Sequence, residues 1–253
     1  MKIGVVGLGL IGGSIFKNLS SKHLVIGISR SVKGENITTD YNALKNCDVI
    51  FVCTPMNATL QVLDKLNEIL SPQTIVTDVC SIKSFLTKKT YSFKFIPSHP
   101  MAGTEHSGWD NSDANLFNGA KWAITPLNEE VLPEQDILES LIKEMGAYAI
   151  ITSVEEHDKA VALISHMPMV VAQALCENIR NNKLAQTLAS TGFKDTTRLA
   201  LSNIEMANDM VCLNKENIDS AIDSLHDSIA NLLTTDYFIK SNEIKDFRKN
   251  LYS

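Results

Sequence analysis

Lys2-Ile3-Gly4-Val5-Val6 runs directly into Gly7-Leu8-Gly9-Leu10-Ile11-Gly12-Gly13, and the reading of that stretch decides how the first half of the chain is built. An apolar run, a glycine-rich turn and an apolar-periodic segment ending near Leu19 give strand, turn and helix in the order a dinucleotide-binding fingerprint requires. Gly7 permits the tight turn, Gly9 lets the backbone approach a pyrophosphate, and Gly12 lets the helix pack close to the strand. The helix N-terminus, with Leu10 and Ile11 beside it, then presents unpaired N–H groups towards the phosphates. The pattern points to a nicotinamide or flavin dinucleotide; the competing reading is a glycine-rich turn in an ordinary α/β domain.

Outward from this turn, residues 1–153 alternate short apolar runs with helical patterns, which predicts a parallel sheet with crossover helices. Strands are expected at Lys2–Val6, Leu24–Ile28, Val49–Cys53, Thr74–Asp78, Phe93–Pro97, Lys121–Thr125 and Tyr148–Ile151, with helices at Ile11–Leu19, Thr59–Leu70 and Pro133–Met145. Between Ile28 and Val49 there is little room for a full helix and strand, so the second crossover is expected to be trimmed. After Ser153 the strand signals stop. Apolar residues recur at helical spacing from Glu155 to Arg180, over Ile204–Leu213 and over Ile218–Ile239, and Ser153 with Glu156 resembles a capping box. The expected architecture is therefore an α/β Rossmann-type N-terminal domain with a parallel-rich sheet, residues 1–153, followed by an all-α domain, residues 154–253. Its apolar positions are too numerous for one helix face, which predicts burial against a second subunit, a homodimer.

The totals narrow the function. The chain has 253 residues, 44% hydrophobic and 21% charged, and Lys+Arg 23 against Asp+Glu 29 leaves a net charge of −6. Without a basic stripe, nucleic acid is not an expected partner. Cys47, Cys53, Cys80, Cys176 and Cys212 are scattered and form no CxxC pair, as in a reducing compartment. No apolar run of membrane-spanning length is expected and no signal peptide is read at the start, so the protein is expected to be cytoplasmic, without a membrane partner.

At the end of the second strand, where an acid would bond an adenosine 2′-hydroxyl, stand Ser29-Arg30-Ser31 and then Lys33, with no acid until Glu35. That charge pattern favours NADP over NAD; alternatively Arg30 stacks on the adenine and either cofactor binds. Thr54 and Pro55, beyond the Val49–Cys53 strand, complete the candidate cofactor contacts.

Two polar stretches follow strand ends, Thr77-Asp78-Val79-Cys80-Ser81-Ile82-Lys83 and Ser98-His99-Pro100-Met101-Ala102-Gly103-Thr104-Glu105-His106-Ser107-Gly108. A histidine at a strand's carboxyl end, His99, within reach of a serine hydroxyl suits proton transfer near neutral pH. The helical half adds Glu155-Glu156-His157-Asp158, then Ser165-His166-Met167-Pro168, where the proline is expected to break the helix. It also adds Gly192-Phe193-Lys194-Asp195-Thr196-Thr197-Arg198, whose arginine fork either meets a carboxylate ligand or pairs with Asp195 at the surface. His157 and His166 do not stand at i, i+4 and the cysteines offer no tetrahedral set, so no metal is expected.

Taken together, GLGLIGGS, TDVCSIK, SHPMAGTEHSG, LFNGAKWAITP, EEHDKAVALISHMP and STGFKDTTRLA resemble, in order and over most of residues 1–214, the prephenate and arogenate dehydrogenases of tyrosine biosynthesis. The resemblance implies oxidative decarboxylation of a cyclohexadiene, with hydride passing to NAD or NADP, and interlocked helical domains in a dimer. It implies His99 as the base on the 4-hydroxyl and Ser81 as a second bond to that hydroxyl, orienting His99. Arg198 would bind a substrate carboxylate, Asp158 and Lys194 would hold an ionic network around it, Thr104 and Glu105 would line the entrance, and His166 would shape the pocket. The chain departs from many relatives at Met169, where they carry a second histidine, at Ala207, where they carry tryptophan, and at Cys80, where they carry glycine. Such a chain is expected to be a monofunctional member. The alternatives are a β-hydroxyacid dehydrogenase using Lys194 or Lys183, or a cofactor-sensing regulator with a blocked substrate cleft; prephenate and arogenate are not distinguished.

Overall fold

The computed structural model describes residues 1–104, 106–127 and 133–252. Glu105, expected at the entrance of the site, lies outside the described residues.

Six strands, β1 (Lys2–Val6), β2 (Leu24–Ile28), β3 (Ile37–Thr38), β4 (Val49–Val52), β5 (Ile75–Asp78) and β6 (Lys94–Phe95), form one parallel sheet in the order β3-β2-β1-β4-β5-β6. All four residues of β4, Val49-Ile50-Phe51-Val52, are buried, because helices cover both faces of the sheet. Alternate residues separate the two faces. Ile3, Val5, Val49 and Phe51 pack with α1 (Leu10–Leu19) and α3 (Pro133–Glu144), while Val6, Ile50, Val52 and Val76 pack with α2 (Met56–Asn67). The crossover between β2 and β4 is indeed cut down, to the two residues of β3 and a single 3₁₀ turn at Tyr41–Leu44.

The expected strand Phe93–Pro97 is only the two residues of β6, and the stretch read as a loop after it is a strand. Ser98–Met101 forms β7, antiparallel to β8 (Lys121–Ile124), which pairs in parallel with β9 (Tyr148–Ile151) in a second, three-stranded sheet. Pro97 and Pro100 hide this strand from a sequence reading. Proline is tolerated here because β7 is an edge, with no second strand paired to it among the described residues. His99 thus sits inside a strand, paired with Ala123, and not beyond a strand's carboxyl end.

From residue 153 the chain is helical: α4 (Val154–Val161), α5 (Met167–Asn178), α6 (Lys183–Leu188), α7 (Thr191–Thr196), α8 (Ile204–Leu213), α9 (Lys215–Thr234) and α10 (Tyr237–Asn250). The capping box that opens α4 is complete, with Ser153 Oγ accepting the Glu156 N–H and the Glu156 carboxylate returning to the Ser153 N–H. Pro168 does not break the helix as expected. Ala162–His166 instead widens into a π turn, the Met167 N–H reaching the Ala162 carbonyl, and Pro168 falls in the first turn of α5 where its missing N–H costs little. The uninterrupted run Val154–Asn178 therefore reaches 25 residues with a window of mean hydropathy 1.4, correcting the expectation that no apolar stretch attains spanning length. Two of its polar side chains, His157 and Asp158, are nonetheless bonded to the sheet half of the molecule, as described below. Further on, Leu201, Ile204, Leu233, Phe238 and Phe247 are exposed, so the helical half carries far more apolar surface than one chain buries.

Candidate active site

The glycine turn is built for close approach. Gly7 has φ +90°, a left-handed conformation that favours glycine, and a Cβ there would lie 2.7 Å from the Cys53 carbonyl oxygen. A Cβ on Gly12 would stand 1.9 Å from the Gly7 carbonyl oxygen, so α1 can sit against β1 only with glycine at that place. Gly9 is the opposite case, with nothing within 4 Å of such a Cβ. It caps α1 without a side-chain bond, which leaves the N–H groups of Leu10 and Ile11 facing open space. β1 and β4 are adjacent at the point where strand order reverses, and this turn stands at their carboxyl ends with Thr54 and Pro55, the latter capping α2. Thr54 Oγ1 lies 3.0 Å from Thr59 Oγ1. After β2, Ser29 Oγ accepts the N–H groups of Ser31 and Val32 at 3.3 and 3.0 Å, leaving Arg30 exposed at the tip. These residues fit a dinucleotide: an open glycine facing a free helix N-terminus, and a cationic tip at the ribose end.

The second cluster is centred on β7. Ser98 is fully buried and joins three segments: its N–H donates to Asp78 Oδ1 at 3.2 Å, its hydroxyl to the Asp78 carbonyl at 2.8 Å, and it accepts Trp122 Nε1–H at 2.9 Å. Lys83, also fully buried, pairs with Asp78 and donates to the Ser98 carbonyl at 2.6 Å. A buried ion pair is tolerable only when both partners are bonded this fully. The result is a rigid footing for the next residue, His99.

His99 is half-buried, and its Nδ1 lies 3.0 Å from Nε2 of His157 on α4. His157 Nδ1 in turn lies 2.8 Å from Asp158 Oδ1. Asp158 accepts the backbone N–H groups of Lys83 and Ser84, each at 2.9 Å, which ties the first turn of the helical half to the end of the sheet. Burial opposes ionisation of Asp158, but the bonds from His157, Ser84 and Lys83 outweigh it and hold its carboxyl below the usual value. His99 is pushed well below the ordinary histidine value by burial first, then by the positive charge of Lys83 and by His157 and His166. It is therefore a neutral base at physiological pH. His166, fully buried, has Nδ1 3.1 Å from Asn214 Nδ2, which also donates to the Asp158 carbonyl at 2.8 Å, while the His166 Nε2 has no partner among the described residues.

The other expected residues lie as follows. The Ser81 hydroxyl is directed to Met56 Sδ at 3.4 Å and not to His99, so the residue that orients His99 in this structure is His157. Asp158 belongs to the imidazole chain and does not form the ionic network expected with Lys194 and Arg198. Both of those cations are exposed, Arg198 on a 3₁₀ turn, and neither pairs with Asp195 or with another of the described residues. Thr104 is exposed in a local turn with His106. Cys80 is buried 3.3 Å from Thr59 Oγ1, and burial followed by the Asp78 charge pushes its thiol far up, which disfavours the reactive thiolate. Met169 and Ala207, the departures, lie together in the core against the α2 face of the sheet. Sequence reasoning missed His157 and Lys83. The signal for His157 was its place beside Asp158 in a capped first turn, where an imidazole on the inner face has a carboxylate within reach.

Comparison with known proteins bears on the whole chain. Residues 18–152 match the family model described as prephenate dehydrogenase, nucleotide-binding domain, and residues 153–252 match that described as prephenate dehydrogenase, dimerization domain. A prephenate dehydrogenase of Bacillus subtilis is 29% identical over 238 residues, 85% of this chain and 64% of that protein, so the chain spans just under two thirds of that relative. The arogenate dehydrogenase of Synechocystis superposes with a TM-score of 0.80 at 34% identity, covering 99% of this chain and 96% of that one. The prephenate dehydrogenase of A. aeolicus, solved with hydroxyphenyl propionate and NAD+, gives 0.81 at 27% identity, covering 99% and 96%. A nucleotide-binding sheet, a half-buried neutral imidazole on the edge strand of the second sheet and two consecutive domain matches lead to one conclusion: this chain belongs to the prephenate dehydrogenase family.

Proposed function

We propose that the protein is a prephenate dehydrogenase, converting prephenate to 4-hydroxyphenylpyruvate and CO2 with hydride transfer to NADP or NAD, in tyrosine biosynthesis in the cytoplasm. The observation that carries this reading is His99, a neutral imidazole held from behind, with its remaining nitrogen free of partners among the described residues. Gly7, Gly9, Leu10, Ile11 and Gly12 would hold the pyrophosphate, Ser29, Arg30 and Ser31 the adenosine ribose, and Thr54 and Pro55 the nicotinamide side. Arg30, with no acid before Glu35, supports NADP. The nicotinamide, when bound, supplies the acceptor for the hydride that leaves C4 of the substrate.

The chain's own residues do the rest. His99 takes the proton of the 4-hydroxyl as the C–O bond gains double-bond character, and loss of the ring carboxylate as CO2 completes aromatisation. Ser81, whose hydroxyl is engaged among the described residues only by a thioether, is available for a second bond to that oxygen. Arg198 and Lys194, uncommitted among the described residues, are the cations for the two substrate carboxylates, with Thr104 and Glu105 at the entrance and His166 in the wall. The division at residues 153 and 154 would separate the cofactor half from a helical half that also forms a homodimer, consistent with the exposed apolar side chains of α8 to α10.

A steady-state assay crossing prephenate and arogenate with NAD and NADP tests the reading, with CO2 release as the product signal. Turnover of prephenate is expected; turnover confined to arogenate would overturn the substrate assignment. His99→Asn should lower kcat about 10²- to 10⁴-fold while cofactor binding, followed by nucleotide fluorescence, survives.

A further inference from the structure

We infer that His157, anchored by Asp158, is a positioning residue that fixes which nitrogen of His99 acts as the base and shares the charge His99 gains. The inference rests on the dehydrogenase reading for its chemistry, but its geometry is independent of the substrate. An ionised Asp158 carries no proton, and its oxygens already accept two backbone N–H groups, so the hydrogen between it and His157 belongs to His157 Nδ1. Nε2 of a neutral His157 is then a lone pair, satisfied at 3.0 Å only by a hydrogen on His99 Nδ1. His99 Nε2 is left bare.

The two rings meet edge to face, centroids 5.2 Å apart at 75°, which aims a nitrogen of one at a nitrogen of the other. Neither His157 nor Asp158 can swing away, since both are almost fully buried and the Asp158 carbonyl is held by Asn214. Among the described residues, the ionisable groups near His99 are Lys83 from the sheet side and His157 and His166 from the helical side, with Asp158 behind His157. Burial first, and Lys83 after it, keep His99 unprotonated at rest. The relay acts in the other direction once a proton arrives. The substrate O–H bond breaks, its proton forms an N–H bond at His99 Nε2, and the oxygen's electron pair becomes a carbonyl bond as hydride leaves C4 for the nicotinamide. The new imidazolium then donates more strongly through Nδ1–H to His157, spreading its charge towards Asp158.

Two-bond proton–nitrogen spectra of histidine-labelled free protein, with His99 assigned from the signal lost in His99→Asn, test this and should show His99 protonated on Nδ1; protonation on Nε2 would overturn the relay. His157→Gln, which keeps an acceptor for His99, should retain at least about ten-fold more kcat than His157→Phe, with KM changed by less than about three-fold between them; equal rates would overturn it. The spectra need no substrate, so a wild type inactive on prephenate would count against the proposed reaction alone.

Discussion

Acid should loosen this protein through His166, and the size of the effect follows from its burial. Burial lowers its pKa from 6.5 to about 4, with His157 acting in the same direction and Asp158 opposing. Because the folded-state value lies below that of an unfolded histidine, the unfolded chain binds a proton over this interval that the folded chain refuses. The stability is present in full above the unfolded value and falls as the pH drops towards about 4. The full interval corresponds to about 3 kcal/mol, and at pH 5 about 2 kcal/mol of it is already lost. His99 shifts the same way and steepens the slope. Urea unfolding of the wild type and His166→Gln at pH 8, 7, 6 and 5 isolates the contribution, since glutamine does not titrate there. The variant is expected to start lower at pH 8, having lost a fitted ring, and to close most of the gap by pH 5. Stability curves that stay parallel down to pH 5 would refute the reasoning.

Lys83→Met leaves Asp78 buried without its cation and should cost about 3–5 kcal/mol in chemical denaturation; a loss under about 1 kcal/mol would mean the pair is dispensable. On the proposed function, Arg198→Gln should raise KM for prephenate about ten-fold or more with kcat little changed, checked by initial rates. Arg30→Ala should weaken NADP at least about ten-fold more than NAD, measured as the ratio of the two KM values; an equal effect on both would favour stacking on the adenine.

The parts of the fold that are governed by local sterics were legible in the sequence. Gly7 and Gly12 declare the turn because any side chain there strikes the Cys53 or Gly7 carbonyl, and Ser153 with Glu156 declares the start of α4 because the cap is made within four residues. β7 was not legible: two prolines argue against a strand, and only its edge position in a second sheet makes Pro100 acceptable. The candidate base was visible as His99, but what stands behind it was not. Asp158 is held by N–H groups of Lys83 and Ser84, more than seventy positions earlier, and no spacing rule connects them. The π turn was likewise hidden, since Pro168 signals a disturbance without saying whether the helix breaks or dilates.

Ser98 has a consequence for how the protein should fail on heating. The residue beside the base is the seam where two sheets and a buried lysine are joined, so no peripheral piece can melt and take the imidazole with it while the remainder stays intact. Loss of turnover and loss of the native Trp122 fluorescence should therefore share one temperature, and a cold-stored or aged sample should contain intact catalysts and wreckage with little of a folded but idle species between them.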